Sequence, residues 1–281
     1  MAEPASAPSR PARDPGGSAP GSVAPGGPAP GDEERIARLR WFNLAMAVLH
    51  AGQAGVMLAL SNALSLPVTG AFATGPPGRP LEEVELETLF TYRLGPAVAL
   101  FLLLSAVFHL VVASPWGFPA YRAELIRDQN RFRWVEYAFS ASLMVVIIAG
   151  LVGITDVAAL VALFALDASM ILFGWLMETR NRPGPGADWS PFVFGCLAGI
   201  VPWVAIGVYL AGAGGDVPGF VYGIFVSIFV LFNCFAVNQW LQYRARGRWA
   251  DYLFGERVYV ILSLTAKSAL AWQVFANVLM D

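Results

Sequence analysis

The sequence predicts an all-α membrane protein built as a bundle of seven transmembrane helices. Three observations carry that prediction. Hydrophobic residues make up 57% of the 281 positions and charged residues only 14%, a balance found in membrane chains rather than soluble domains. Seven apolar stretches follow one another, each about 20 residues long, the length an α-helix needs to cross the hydrocarbon core. Arginines gather in alternate connections, as they do in chains that cross the bilayer several times.

Residues 1–31 are almost entirely Pro, Gly, Ala and Ser. Such a segment buries too little apolar surface to fold, so it is expected to be a disordered tail, without the compact apolar core of a signal peptide. The division of the chain is therefore a tail over 1–34 and a helical domain over 35–281. Asp32-Glu33-Glu34 opens the first helix, with acids in its first turn where the helix dipole favours them.

The spans are expected at 41–62, 93–113, 132–153, 157–177, 191–211, 218–240 and 258–279. Most connections are short and carry Gly or Pro, as in Ala211-Gly-Ala-Gly-Gly-Asp-Val-Pro218, so successive helices are antiparallel neighbours. The long exception is 63–91, whose Leu66-Pro-Val-Thr-Gly-Ala-Phe72 portion suits a short hairpin. A structured connection of that length often serves function or assembly.

The cations orient the chain. Arg10, Arg13, Arg35, Arg38 and Arg40 precede or open the first span. Arg122, Arg127, Arg131 and Arg133 lie between the second and third, Arg180 and Arg182 between the fourth and fifth, and Arg244, Arg246, Arg248 and Arg257 between the sixth and seventh. The opposite side holds only Arg79 and Arg93. By the positive-inside rule the N-terminus is cytoplasmic and the C-terminus extracellular, which an odd number of spans requires. The protein is expected in the plasma membrane, with the lipid bilayer as its surroundings.

Several function classes find no support. The chain has no Walker loop, no GxGxxG, no HExxH and no basic patch for nucleic acid, so neither an enzymatic role nor a nucleic-acid partner is expected. Cys196 and Cys234 fall inside apolar spans with no zinc or disulfide spacing, and no metal site is expected.

The chemistry lies in the last span. Lys267 is the only lysine; every other cation is arginine. Placing a charge at membrane depth costs about 2.5–3.5 kcal/mol on insertion scales. A primary amine forms a Schiff base with an aldehyde and a guanidinium does not, which is one reason to keep a lysine there. A buried Lys–carboxylate pair between helices, or an anion site, is the other.

Further intramembrane polar groups are functional candidates by default. His50 and Gln53 share one face of the first span, and Ser105 and His109 share one of the second. These are the only histidines, and a shared polar cavity accounts for both. The third span carries Glu136, with Tyr137 beside it and Ser140 one turn on; the fourth carries Asp167; the seventh carries Ser263 on the face of Lys267. A protonated Schiff base needs an anion beside it. Measured from the cytoplasmic ends of the expected spans, Lys267 is about 14 Å deep, Asp167 about 15 Å and Glu136 about 6 Å, so depth favours Asp167.

Seven helices with a lysine in the last and a carboxylate on the third look like a retinal-binding opsin, a rhodopsin-like bundle. The detail is more specific: Arg133-Trp-Val-Glu-Tyr-Ala-Phe-Ser-Ala-Ser-Leu-Met144, Leu172-Phe-Gly-Trp-Leu-Met-Glu178, Phe232-Asn-Cys-Phe-Ala-Val-Asn-Gln-Trp-Leu-Gln-Tyr243, Ser263-Leu-Thr-Ala-Lys-Ser-Ala-Leu-Ala-Trp-Gln273, and the embedded pair His50 and His109. Together these resemble the heliorhodopsins over about residues 35–281. The orientation found from the arginines is that family's, and ordinary microbial rhodopsins have the opposite one.

The resemblance implies roles. Lys267 carries all-trans retinal as a protonated Schiff base and Glu136 is its counterion, in preference to Asp167. Ser263 and Ser105 hydrogen-bond near it, with Tyr137 and Ser140 in the same neighbourhood. His50, His109 and Gln53 form a polar cavity on the cytoplasmic side that handles the proton released on illumination. Trp203, Phe232 and Trp272 line the polyene pocket. Family members resemble light sensors and homodimers joined through a sheet formed by the loop after the first helix. The expected function is thus a photoreceptor that signals to a cytoplasmic partner by a slow conformational change. The alternatives are a light-driven proton pump or light-gated conductance, and a retinal-free transporter or scaffold. Ile147, where a pump's second carboxylate would sit, argues against pumping.

Overall fold

The computed structural model describes residues 31–72 and 86–280. Residues 1–30 of the tail expected over 1–34, and the middle of the long connection, lie outside the described residues.

The first helix, α1 (Asp32–Leu60), starts on its three acids. The strands β1 (Ser65–Ala71) and β2 (Leu86–Arg93) follow, then α2 (Leu94–Ala113) and a short α3 (Phe118–Leu125). The remaining helices are α4 (Arg131–Leu151), α5 (Val157–Arg180), α6 (Ser190–Gly212), α7 (Gly219–Tyr243) and α8 (Tyr252–Val274). A π-helical turn over Phe275–Leu279 continues α8. All but α3 are long and apolar enough to cross a membrane, giving the seven expected spans.

Caps and turns set the boundaries. The Asn130 side chain accepts from the Arg133 amide to start α4, Asp156 accepts from Ala159 to start α5, and Asp251 accepts from Leu253 to start α8. Helix α8 begins six residues before its expected position at 258, and α7 runs three beyond 240. These extra turns carry Gln242, Glu256 and other polar residues that end an apolar run but are buried here against other helices. The sequence reading did not find α3. Its Phe118, Tyr121 and Leu125 recur at helical spacing and pack with Ile36, Leu39, Val112, Tyr252 and Leu253 beneath the arginine-rich end of the bundle.

At the other end, β1 and β2 pair antiparallel, Ser65 opposite Arg93 and Val68 opposite Phe90, with an irregularity between Val68 and Thr69. The expected hairpin within 66–72 is corrected: that segment is a single strand, and its partner comes from the far side of the connection. The Thr69 amide donates to the Thr155 carbonyl at 2.8 Å, which ties the sheet to the α4–α5 turn. A Cβ on Gly150 would lie 2.7 Å from the Tyr92 hydroxyl, so a larger residue there would push the Tyr92 side chain off α4. The Asn62 amide and side chain donate to Leu279 and Val278 carbonyls, both at 3.0 Å, joining the end of α1 to the last turn.

The core runs along the bundle axis through Phe101, Met144, Ile148, Ile206, Ile228 and Leu270. The outer faces are apolar as well: Val161, Leu197, Val204, Val208 and Val226 are exposed. A surface of that kind suits lipid rather than water.

Candidate functional site

Helical spacing puts Ser263 and Lys267 on one face of α8. The side chain of Lys267 lies back toward the start of its helix, and its Nζ donates to Ser263 Oγ at 2.7 Å. There it meets α4: Nζ is 3.2 Å from Glu136 Oε1 and 3.4 Å from Oε2. Ser105 Oγ of α2 donates to Glu136 Oε1 at 2.6 Å. All four residues are buried. Their hydrogen bonds and opposite charges are what makes a charged pair tolerable at this depth.

Asp167 takes no part in this pair. It receives Ser142 Oγ on Oδ2 at 3.1 Å, while its buried Oδ1 has no partner among the described residues. Depth counted along the backbone favoured Asp167 because it ignored side-chain direction and assumed level helix ends. Helix α8 begins well before the apolar run, and the lysine reaches about one turn back toward Glu136.

An aromatic cavity adjoins the pair. Lys267 Nζ lies 4.9 Å from the centre of the Tyr137 ring, and the Tyr137 and Phe235 rings meet at right angles with centres 5.4 Å apart. Both rings line a cavity of about 340 Å³ that continues past Phe232, Phe229 and Trp203. Small-molecule sites occupy about 300–1,000 Å³ and are mostly apolar with a few convergent polar groups. Trp203 meets Phe229 and Phe232 at 5.4 Å each. Tyr137 donates to the Tyr259 carbonyl at 2.9 Å, which fixes its ring.

The histidines come together on the other side of the pair. The rings of His50 and His109 stack 5.6 Å apart and nearly parallel. His109 Nδ1 is 2.7 Å from Asn43 Oδ1, and neither ring nitrogen of His50 has a partner among the described residues. Gln53, one turn along, is half-buried, and its Oε1 is also unpartnered.

Toward the arginine-rich end lies a second charged cluster that the sequence reading missed. Arg133 is buried between Glu178 of α5 and Glu256 of α8 and bonds both. Its guanidinium lies 4.0 Å from the Tyr259 ring centre and 4.7 Å from that of Trp134. Asn130 donates to Glu178 through its amide and to Glu256 through its side chain, the latter at 2.7 Å. One signal was available: Arg133 lies one turn before Glu136, on the same face.

A family model matches residues 39–279, and its description is Heliorhodopsin. The chain belongs to the heliorhodopsin family. Among solved structures it is similar to a light-driven proton pump from Leptosphaeria maculans, at 13% identity and a TM-score of 0.57, over 87% of this chain and 95% of that one. At that identity the likeness shows the fold alone. A search of curated proteins finds no match.

As a heliorhodopsin the chain is a multi-pass membrane protein of the retinal-binding kind, and its residues fit that group. A buried primary amine is held against a carboxylate, and an aromatic cavity of suitable size begins at the ring beside it. The structure brings together Lys267, Glu136, Ser105, Ser263 and Tyr137, and it places Trp203 and Phe232 on the cavity wall. Ser140 is buried one turn beyond Glu136, its hydroxyl without a partner among the described residues. Trp272 is corrected: it is 42% exposed, packs against Phe275 and does not line the cavity. Five residues from Lys267, it points about 140° away around the helix.

Proposed function

We propose that this heliorhodopsin is a light sensor in which Lys267 holds all-trans retinal as a protonated Schiff base and Glu136 is the counterion. The observation that carries this reading is the buried Lys267–Glu136 pair, 3.2 Å apart, whose amine lies 4.9 Å from the centre of the Tyr137 ring that lines an aromatic cavity. When bound, retinal supplies light absorption and an isomerisation that disturbs the pair. Ser105 and Ser263 orient Glu136 and Lys267, the Tyr137 ring lies between the amine and the aromatic cavity, and His109, stacked on His50, shares a small cavity with Glu136.

The same reading places the arginine-rich end in the cytoplasm of a cell whose plasma membrane holds the bundle, and has that end signal to a cytoplasmic partner. Ile147 supports a sensor over a proton pump: about three turns after Glu136 on the same face, it is wholly buried in the apolar core and offers no carboxylate to resupply a proton. A homodimer joined through the β1–β2 sheet completes the proposal. Adding all-trans retinal to the purified protein tests it. A visible band that bleaches slowly on illumination is expected; the absence of a band would leave the retinal-free scaffold.

A further inference from the structure

The Arg133 cluster stands apart from the pair that meets the chromophore, yet one small space connects them. A cavity of about 30 Å³ is lined by both Glu136 and Glu256, together with His109, Asn43 and Tyr121. About 10–15 Å³ is enough for one water, so the two carboxylates can be bridged. Glu178 does not line this cavity.

The two carboxylates around Arg133 are held unequally. Glu178 accepts from four donors: the Asn130 amide, Arg133, Trp134 Nε1 at 2.6 Å and the Tyr252 hydroxyl at 3.2 Å. Glu256 accepts from three: Arg133, Asn130 Nδ2 at 2.7 Å and the Tyr121 hydroxyl at a long 3.4 Å. One guanidinium between two carboxylates leaves one negative charge in excess. A proton arriving on Glu256 removes that excess and leaves a neutral Arg133–Glu178 pair. A proton arriving on the His50–His109 stack, which has no carboxylate partner among the described residues, would instead create a buried cation, which is costly in a low-dielectric interior.

Glu256 also holds elements together. Through Asn130 it fixes the cap of α4, and through Tyr121 it fixes α3. Above them Arg122 bonds Glu33 and Arg35 bonds Asp251, so α3 and the starts of α1 and α8 form one lid over the cluster.

We propose that Glu256 is the internal proton acceptor of this protein and the latch through which light loosens α3 at the arginine-rich face. The proposal rests on the photoreceptor reading above. One proton leaves the Lys267–Glu136 pair, crosses the small cavity and converts the Glu256 carboxylate to a carboxylic acid. The acid's bonds to Arg133, Asn130 and Tyr121 weaken, and the proton returns by the same route in the dark, with no net exchange with bulk water.

Light-minus-dark infrared difference spectra of the retinal-loaded protein test the acceptor. A new carboxylic-acid C=O band is expected in the long-lived state of the wild type and of Asp167→Asn, a buried carboxylate outside the cluster, and none in Glu256→Gln. Survival of the band in Glu256→Gln, its loss in Asp167→Asn alone, or a wild type without it, as a proton resting on the histidines would give, overturns the proposal. Hydrogen exchange on the retinal-free protein tests the latch. Glu256→Gln, which mimics the neutral acid, is expected to speed exchange over 118–130 and leave 86–93 unchanged. Tyr121→Phe, which keeps every charge, is expected to speed the same segment while preserving the infrared band. Exchange over 118–130 as slow as in the wild type in both variants overturns the latch. A protein that forms no pigment at all overturns the photoreceptor reading instead, whereas failure of this proposal is a normal pigment with the band in the wrong variant.

Discussion

The Nζ of Lys267 lies 2.7 Å from the hydroxyl of Ser263, one turn nearer the start of the same helix. This folding-back sets where the amine is: beside Glu136 of α4 rather than level with its own backbone. It also sets which ring the amine faces, that of Tyr137, which lines the aromatic cavity. Reactive amine, carboxylate and cavity are thus in register because a long side chain follows the Cα–Cβ direction of its helix.

The first prediction concerns attachment. Lys267 is the only lysine, so it is the only side-chain primary amine in the chain. Lys267→Ala is expected to show no visible absorption band after addition of retinal, with the fold retained. A bleachable, hydroxylamine-sensitive pigment in that variant would disprove the linkage.

Transport is the second. With Ile147 buried where a resupplying carboxylate would be needed, illuminated vesicles are expected to show no sustained pH change. The check is a pH electrode with and without uncoupler; an uncoupler-sensitive shift would establish a pump.

The third concerns assembly. Leu86, Leu89 and Phe90 of β2 are exposed, Phe90 by 56%, and the outer edge of β2 has no strand beside it among the described residues. Unpaired apolar edges recruit further strands. Phe90→Arg combined with Leu86→Arg is expected to convert a homodimer to monomers in mild detergent, read by light scattering, without changing the pigment. An unchanged mass would place the dimer contact elsewhere.

The fourth concerns the Arg133 cluster as a structural element. Breaking a buried ion pair by removing one partner costs about 3–5 kcal/mol, whereas replacing the whole cluster with uncharged groups is often nearly neutral. Arg133→Met is therefore expected to lower the melting temperature of the retinal-free protein markedly, and adding Glu178→Gln with Glu256→Gln to recover most of the loss. Thermal melts followed by circular dichroism decide. A single variant as stable as the wild type would mean that the cluster is solvated.

Much of this was legible in the chain. The seven spans, Lys267 and Glu136 are visible because apolar runs advertise themselves and a charge inside one stands out. The histidine pair was legible for the same reason. Glu178 and Glu256 were not, because they lie where apolar runs end and a carboxylate there usually meets water. Asn43, Tyr121 and Asn130 are neutral and carry no signal until α3 folds under the bundle and buries them. Trp272 was misplaced by resemblance although helical spacing alone puts it off the lysine's face. The strand pairing of 65–71 with 86–93 is non-local, and nothing within the first segment identifies its partner.

The last prediction concerns the counterion, where depth and geometry part. Glu136 meets Lys267 at 3.2 Å and is tied to Ser105, whereas Asp167 bonds Ser142 and makes no ion pair among the described residues. A carboxylate beside a protonated Schiff base stabilises the ground state, whose positive charge lies near the nitrogen, more than the excited state. Neutralising it is expected to shift the visible band to longer wavelength or to bleach it to a near-ultraviolet form as the proton is lost. Glu136→Gln is expected to do this, and Asp167→Asn to leave the band in place. The measurement is the visible band of both variants followed across pH. A band that moves only in Asp167→Asn would assign the counterion to α5. A band that moves in neither variant would place the compensating charge on a bound anion near the histidines, because one buried positive charge requires one negative partner.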